Sequence, residues 1–123
     1  MSTPRFVQPL FQAIDAMDAE KFVSFLADDG VFRFGNGPAT EGREAIREAV
    51  AQFFGSVHAL RHRLLGVWSL PDVVFCEGEV TYTRKDRSEV TLPFFNVFKM
   101  QGGKVREYSI YADVTPLNQA QVH

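Results

Sequence analysis

A histidine and an asparagine lie in two largely apolar strand rows, and both side chains could contribute chemistry. His62 lies between Leu60 and Leu64 in its row, and Asn96 lies in the apolar row of a later strand. Histidine changes charge near neutral pH and can act as a general base. A buried amide is destabilising unless it is hydrogen-bonded, so we expect Asn96 to bond Tyr108, His62 or a ligand. A core histidine bonded to a neighbour is the alternative for His62.

Two tyrosines and two larger apolar residues share the faces of these strands. Tyr82 and Tyr108 combine an apolar ring with a hydroxyl group that can reach a cavity. Trp68 and Phe94 belong to the rows that carry the histidine and the asparagine. We therefore predict that all four contact a ligand, with simple core packing as the alternative.

The turns between the strands predict that these rows meet on one face. From residue 56 onward the hydrophobic period is 2, and turn-forming residues at 70–72, 85–88 and 101–103 divide the remainder into four strands. Consecutive hairpins form an antiparallel meander. Three-residue connections would pair the inward residues as follows: Leu60 with Tyr82, His62 with Val80, Tyr82 with Leu92, Gly78 with Asn96, Asn96 with Tyr108, and Phe94 with Ile110.

The first half of the chain predicts helices that would cover this face. Apolar spacing indicates one helix before residue 18 and a second that begins at an Asp18 cap and ends near residues 28–30. Residues 31–34 predict a short strand, and residues 43–54 predict a third amphipathic helix. We therefore predict an α+β fold. It is a cone-shaped, curved antiparallel sheet, made of the four-strand meander plus the short N-terminal strand, packed on three helices.

The length and composition indicate one domain over residues 1–123. Of these 123 residues, 46% are hydrophobic, enough for a packed core. The formal charge of −2 and a pI near 5.9 argue against a nucleic-acid partner, whose binding surfaces are basic. No apolar run is long enough for a membrane span, and the N-terminal residues carry charges where a signal peptide is apolar. We expect a cytoplasmic protein with no membrane partner.

The sequence offers no metal or cofactor site. Cys76 is the only cysteine, so we expect a buried, inert thiol and no intrachain disulfide. His58 and His62 share a strand face, but they lie about 13 Å apart on strand geometry, too far to chelate one ion. We expect neither a metal nor a cofactor.

The outer face of the predicted sheet is partly apolar. Phe95, Val97 and Val67 lie on it together with Arg61, Arg63 and Lys99. Because a monomer rarely exposes a large apolar patch, we expect a homodimer through this face.

The order of elements and several short motifs resemble a known superfamily. The motifs are FLADD at 25–29, EGREAIR at 41–47, LRHR at 60–63, VTYTR at 80–84, TLP at 91–93 and YSIYADVTPL at 108–117. With them the chain resembles the nuclear transport factor 2-like superfamily, and within it a SnoaL-like subgroup without an assigned substrate. The resemblance implies the cystatin-like α+β roll of ketosteroid isomerases, limonene epoxide hydrolases and polyketide cyclases.

The catalytic pattern of the isomerases does not carry over to this chain. Their general base would be an aspartate on the short strand, where Phe34 stands, and their oxyanion-hole tyrosine falls near Leu10. Their second donor, a protonated aspartate, falls at Asn96, which can donate through its amide. We therefore expect Phe34 to contact a ligand rather than to supply a base.

Asp113 matches a carboxylate that ends the last strand in the epoxide hydrolases and a similarly placed acid/base aspartate in the cyclases. The resemblance therefore implies a catalytic role for Asp113. Regular alternation turns Asp113 away from the apolar row, so its use in a pocket requires a bulge or a position at the rim.

These residues support three functions. The first is a cofactor-free acid/base enzyme, of isomerase, epoxide hydrolase or cyclase type, that acts on a small hydrophobic molecule through Asp113 and His62. The second is a non-catalytic protein that binds such a molecule in the same pocket. The third is a dimeric interaction module whose cavity is incidental, since the fold alone does not choose a function.

Overall fold

The structure is a computed structural model that describes residues 3–118, and these form one curved six-stranded sheet with helices against its inner face. The elements are α1 (Val7–Asp15), α2 (Ala19–Val23), β1 (Leu26–Phe34), β2 (Thr40–Glu41), α3 (Arg43–Gly55), β3 (Ala59–Leu70), β4 (Val73–Thr83), β5 (Glu89–Gln101), β6 (Lys104–Tyr111) and α4 (Thr115–Asn118). The strand order is β2-β1-β6-β5-β4-β3. The predicted α+β class is confirmed. No helix within residues 3–118 has the length and apolarity of a membrane span.

β1 differs most from its prediction. It begins at Leu26, five residues earlier than residue 31, and it pairs in parallel with β6. The other neighbouring strands of the described sheet are antiparallel. A parallel pair needs a long connection, and here α3 and the meander supply it. The sheet is therefore mixed, because it contains the parallel pair β1–β6, whereas the prediction had antiparallel pairs only.

α2 is shorter than predicted. Asp18 caps it as expected, since its side chain accepts from Lys21 N at 3.0 Å, but the helix ends at Val23. Immediately beyond it, the backbone carbonyl of Phe25 accepts from Val105 N of β6 at 2.9 Å. The chain therefore leaves α2 and pairs with β6 at a point where apolar spacing alone would continue the helix.

The inward rows of the meander meet, although two of the three registers differ from the prediction. The structure pairs Leu60 with Tyr82 and His62 with Val80, both as predicted, but Tyr82 with Val90, Gly78 with Phe94, Cys76 with Asn96, Asn96 with Ile110, and Phe98 with Tyr108. The β4–β5 loop spans residues 84–88 instead of the predicted three residues, and this longer loop moves the β4–β5 register by two residues.

In the β5–β6 hairpin, a turn formed by Gly102 and Gly103 and a bulge after Lys99 together move the register by two residues. The two glycines have φ of 58° and 79°, a conformation that side chains disfavour. A shift of two keeps every side chain on its predicted face.

A β-bulge in β3 reverses the faces beyond it. The register shifts by one residue at Leu65. Trp68 therefore pairs with Phe75 on the outer face, and Val67 pairs with Cys76 and packs against the core. The prediction that Trp68 faces inward and Val67 outward was wrong for this reason.

The core between the sheet and the helices is rich in aromatic rings and also contains side chains that can ionise, among them the Cys76 thiol and the Tyr108 phenol. The rings of Phe98 and Tyr108 are tilted at 57° to each other with centroids 4.5 Å apart. Cys76 is buried as predicted, and burial raises the pKa of its thiol to about 12. The core therefore holds these groups in their neutral forms.

We expect Gly78→Ala to destabilise the fold and Gly66→Ala to be tolerated. A methyl group at Gly78 would overlap the backbone carbonyl oxygen of Arg63 and lie 2.8 Å from the Phe94 ring. At Gly66 it would meet the indole of Trp68, which is half exposed and can swing aside. Chemical denaturation should show a loss of about 2 kcal/mol in unfolding free energy at Gly78 and less than about 1 kcal/mol at Gly66. Equal losses would contradict this account of the inner face.

We also expect alkaline pH to destabilise the fold through Tyr82. Burial raises the pKa of this phenol to about 12, whereas an unfolded tyrosine ionises near about 10. Below about pH 10 both states keep the proton and the stabilisation is fully present. Above it the unfolded state ionises first, so the free energy of unfolding falls as pH rises towards about 12.

The matched variant is Tyr82→Phe. Between about pH 9 and about pH 11 it should lose about 1 kcal/mol less unfolding free energy than the wild type. Chemical denaturation at the two pH values measures the difference. The same loss in both proteins would show that Tyr82 is not the group responsible.

Candidate functional site

An apolar cavity lies between the inner face of the sheet and the helices. Four polar residues, His62, Tyr82, Asn96 and Tyr108, contribute to a wall that is otherwise apolar. They come from β3, β4, β5 and β6 in that order, so each strand of the meander supplies one. The hairpins that align the inward rows therefore assemble these four side chains around one space.

The cavity is narrow. Its volume is about 50 Å³, compared with roughly 150 Å³ for a cavity that holds benzene. The partly exposed part of its wall includes Phe34 and Phe53, whose ring centroids lie 5.4 Å apart, together with Ala112 and Val114. This partly exposed part is the mouth of the cavity. A ligand of benzene size therefore requires side chains at the mouth to move outward.

His62 is held by a carboxylate from the helical layer. His62 Nδ1 donates to Asp15 Oδ1 at 2.6 Å, and the backbone N of His62 donates to the same carboxylate at 3.1 and 3.2 Å. β3 is an edge strand of the described sheet, and this N–H is on its unpaired side, where the Asp15 carboxylate supplies the acceptor that a buried N–H needs. The side chain of His62 is 11% exposed and that of Asp15 is 32% exposed.

This pairing determines which ring nitrogen can do chemistry. An ionised carboxylate only accepts hydrogen bonds, so Nδ1 of His62 carries a proton and Nε2 holds the lone pair of the neutral ring. Phe11 and Phe94 flank the imidazole with centroids 5.0 and 5.4 Å away. The imidazole is therefore fixed in both orientation and tautomer.

Sequence reasoning missed Asp15. It ends α1 one turn after Phe11, at the margin of the helix face that packs inward. A carboxylate at a helix C-terminus is unfavourable in the field of the helix dipole. An aspartate at this position therefore indicates that its side chain has a partner elsewhere, and this feature of the sequence could have identified Asp15. Which strand the carboxylate meets depends on how α1 packs, and local patterns do not carry that information.

Asn96 lies at the buried part of the cavity wall. It is 1% exposed, and its Nδ2 donates to the Tyr108 hydroxyl oxygen at a long 3.4 Å. The structure thus pairs Asn96 with Tyr108, one of the three partners that we expected. Its Oδ1 accepts no hydrogen bond from the described part of the chain.

The two cavity tyrosines are neutral hydrogen-bonding groups. Burial raises the pKa of Tyr82 to about 12, and burial, with smaller contributions from the negative charges of ionised Cys76 and Tyr82, raises the pKa of Tyr108 well above its usual range. Neither phenol can serve as a base near neutral pH. Both keep a proton to donate.

Asp113 lies outside the cavity. Its neighbours Ala112 and Val114 line the wall, and Asp113 itself is exposed. Its Oδ1 accepts from Thr115 N at 3.0 Å, and hydrogen bonds from the side chain and backbone of Thr115 lower the pKa of the carboxyl group. β6 ends before this residue without a bulge that would turn it inward. Asp113 therefore faces away from the cavity, as regular strand alternation predicts, and its catalytic role stays a prediction.

The remaining predicted residues divide between the two faces. Phe34 and Phe94 lie on the cavity wall, and Trp68 does not, because the bulge in β3 turns it to the outer face. Among residues 3–118, no three histidine, cysteine or acidic side chains cluster closely enough to hold a metal ion.

Comparison with known proteins places the chain in a family. The model of the SnoaL-like domain matches residues 7–108. No functionally curated protein matches the chain.

Several solved structures share its fold. One is a hypothetical protein with a ketosteroid isomerase-like fold from Catenulispora acidiphila, in complex with trimethylamine (TM-score 0.83, 18% identity, 89% of this chain and 86% of that chain). A second is a candidate polyketide cyclase from Xanthomonas campestris (TM-score 0.81, 20% identity, 90% of each chain). A third is an LEH-like epoxide hydrolase from M. tuberculosis (TM-score 0.78, 18% identity, 90% of this chain and 82% of that chain).

At these identities the structural likeness shows the fold alone. The family match, in contrast, covers most of the chain and includes the strands that carry His62, Tyr82 and Asn96. The chain belongs to the SnoaL-like domain family.

Proposed function

We propose that this protein is a cofactor-free acid/base enzyme that acts on a small, largely apolar molecule, with His62 as the general base and Asp15 as its positioning residue. The observation that carries the proposal is the 2.6 Å bond from His62 Nδ1 to Asp15 on the wall of an apolar cavity. The proposal replaces Asp113, which is exposed, with a carboxylate that contacts the histidine.

The chemistry follows from the tautomer. With Nδ1 donating to Asp15, Nε2 can accept a proton from a substrate, and the carboxylate stabilises the imidazolium that forms. The aromatic rings around the imidazole exclude water, which strengthens this electrostatic stabilisation. The neutral hydroxyl of Tyr82 is a donor for an oxygen on which negative charge develops.

Ligand binding without turnover is the second candidate, because no carboxylate of residues 3–118 lines the cavity. Epoxide opening by a water held between carboxylates therefore has less support here than proton transfer by histidine. The two candidates share the cavity and the class of ligand, so only turnover separates them.

The test compares three variants on a panel of terpenoid epoxides, enones and polyketide fragments. His62→Gln and Asp15→Asn should each lower kcat/KM by about 10²- to 10⁴-fold on any compound that the wild type converts. Asp15→Asn should also alter the pH profile of kcat/KM, since the carboxylate acts through the imidazole. Asp113→Asn is the matched control and should retain both the rate and the profile.

Two results would contradict this assignment. Loss of turnover in Asp113→Asn with retention in His62→Gln would return the chemistry to the end of β6. A folded wild type that binds members of the panel and converts none would favour the binding protein.

We further propose a homodimer through the outer face of the sheet. Trp68, Phe75, Val97 and Phe95 share this face, where Trp68 and Phe95 are 51% and 37% exposed. The ion pairs Arg63–Glu79 and Lys99–Glu107 flank the apolar area, with side-chain N to O distances of 3.6 and 3.9 Å. A rim with both signs of charge is complementary to itself across a two-fold axis, so a second copy is the occupant that fits.

Trp68→Lys should convert this dimer to a monomer, because it replaces an exposed aromatic ring of the apolar area with a charge. Gln52→Lys adds the same charge to an exposed position of α3 and should leave the dimer intact. Sedimentation velocity measures both. A monomeric wild type, or a Trp68→Lys variant that stays dimeric, would refute the interface.

A further inference from the structure

A buried hydrogen-bond acceptor on the cavity wall lacks a donor. Asn96 is 1% exposed, and within residues 3–118 its Oδ1 is the unpartnered buried acceptor among the side chains. Folded proteins pair nearly all such atoms, because a buried amide oxygen without a donor is destabilising. The site therefore calls for a donor from outside the described chain.

A donor stands beside this acceptor. The Tyr108 hydroxyl oxygen accepts from Asn96 Nδ2 at 3.4 Å and still carries its own proton. Because burial raises the pKa of Tyr108 well above its usual range, that proton is present at neutral pH. The buried part of the cavity thus offers an acceptor and a donor side by side.

We infer that the ligand of this cavity carries a hydroxyl group, which donates to Asn96 Oδ1 and accepts from Tyr108. A hydroxyl group both donates and accepts, whereas a ketone or ether oxygen only accepts and would leave Asn96 Oδ1 unpaired. The apolar wall around these two residues requires the rest of the ligand to be uncharged and apolar. The substrate class is therefore a small alcohol, enol or phenol.

This inference rests on the proposed function, since it takes the cavity to be a ligand site. It adds a residue that selects the ligand and is separate from the histidine that transfers the proton. A site built to bond a hydroxyl group discriminates strongly against an analogue that lacks one, because its own polar atom is then left without a partner.

The experiment titrates the ¹⁵N-labelled protein with cyclohexanol and cyclohexanone, followed by NMR shifts of the cavity residues. The two probes have the same number of heavy atoms and need the same opening of the mouth, so their affinity ratio isolates the hydroxyl proton. The wild type should bind the alcohol about tenfold more tightly than the ketone. Asn96→Leu, which replaces the amide with an apolar group of similar size, should bring the ratio to about one.

The wall has a second possible hydrogen-bond acceptor, the imidazole of His62. The variant His62→Gln removes that imidazole and should keep the preference for the alcohol, because Asn96 Oδ1 remains. Should Asn96→Leu fail to fold, Asn96→Val makes the same comparison. Equal affinities in the wild type, as expected if a resident water serves Asn96, would overturn the inference and leave the proposed function standing. A preference that persists without Asn96 would also overturn it. If neither probe shifts the cavity resonances, the proposed function fails together with the inference.

Discussion

The carboxylate of Asp15 joins the helical layer to the open edge of the sheet. An edge strand has backbone N–H groups without a neighbouring strand, and at His62 this group meets the last residue of α1. The same carboxylate accepts from the imidazole ring, so one side chain joins the C-terminus of α1 to β3 and orients the histidine. These bonds offset the unfavourable position of a negative charge at a helix C-terminus.

The cavity depends on how the strands alternate. A register shift of two residues leaves every side chain on its face, and the shifts in the β4–β5 and β5–β6 hairpins are of this kind. A shift of one residue reverses the faces, and the bulge in β3 is of that kind. His62 lies before this bulge and stays on the cavity side, while Trp68 lies beyond it and faces outward. The bulge therefore adds Trp68 to the apolar outer face and leaves His62 on the cavity side.

The chemistry of the cavity is confined to few groups. Burial keeps Tyr82 and Tyr108 protonated, so they can donate hydrogen bonds and cannot accept protons. Asp113 accepts a hydrogen bond from Thr115 N, and no carboxylate of residues 3–118 lines the cavity. In the function that we propose, His62 with Asp15 is the proton-transfer unit, and Asn96 is a separate polar group. Structures of the same fold are described as polyketide cyclase and epoxide hydrolase, so the particular groups must be read in each chain.

Local patterns in the sequence determined the class of fold, the meander and the faces of most strand residues. Strand alternation has a period of two and does not depend on partners, which is why His62, Tyr82, Asn96 and Tyr108 could be assigned to one wall. Tertiary structure decided what depends on a partner: where α2 ends, the parallel pairing of β1 with β6, and the bulge that turns Trp68 outward. It also decided that Asp15, distant in sequence from His62, meets its ring, because helix packing sets that contact and no local spacing records it.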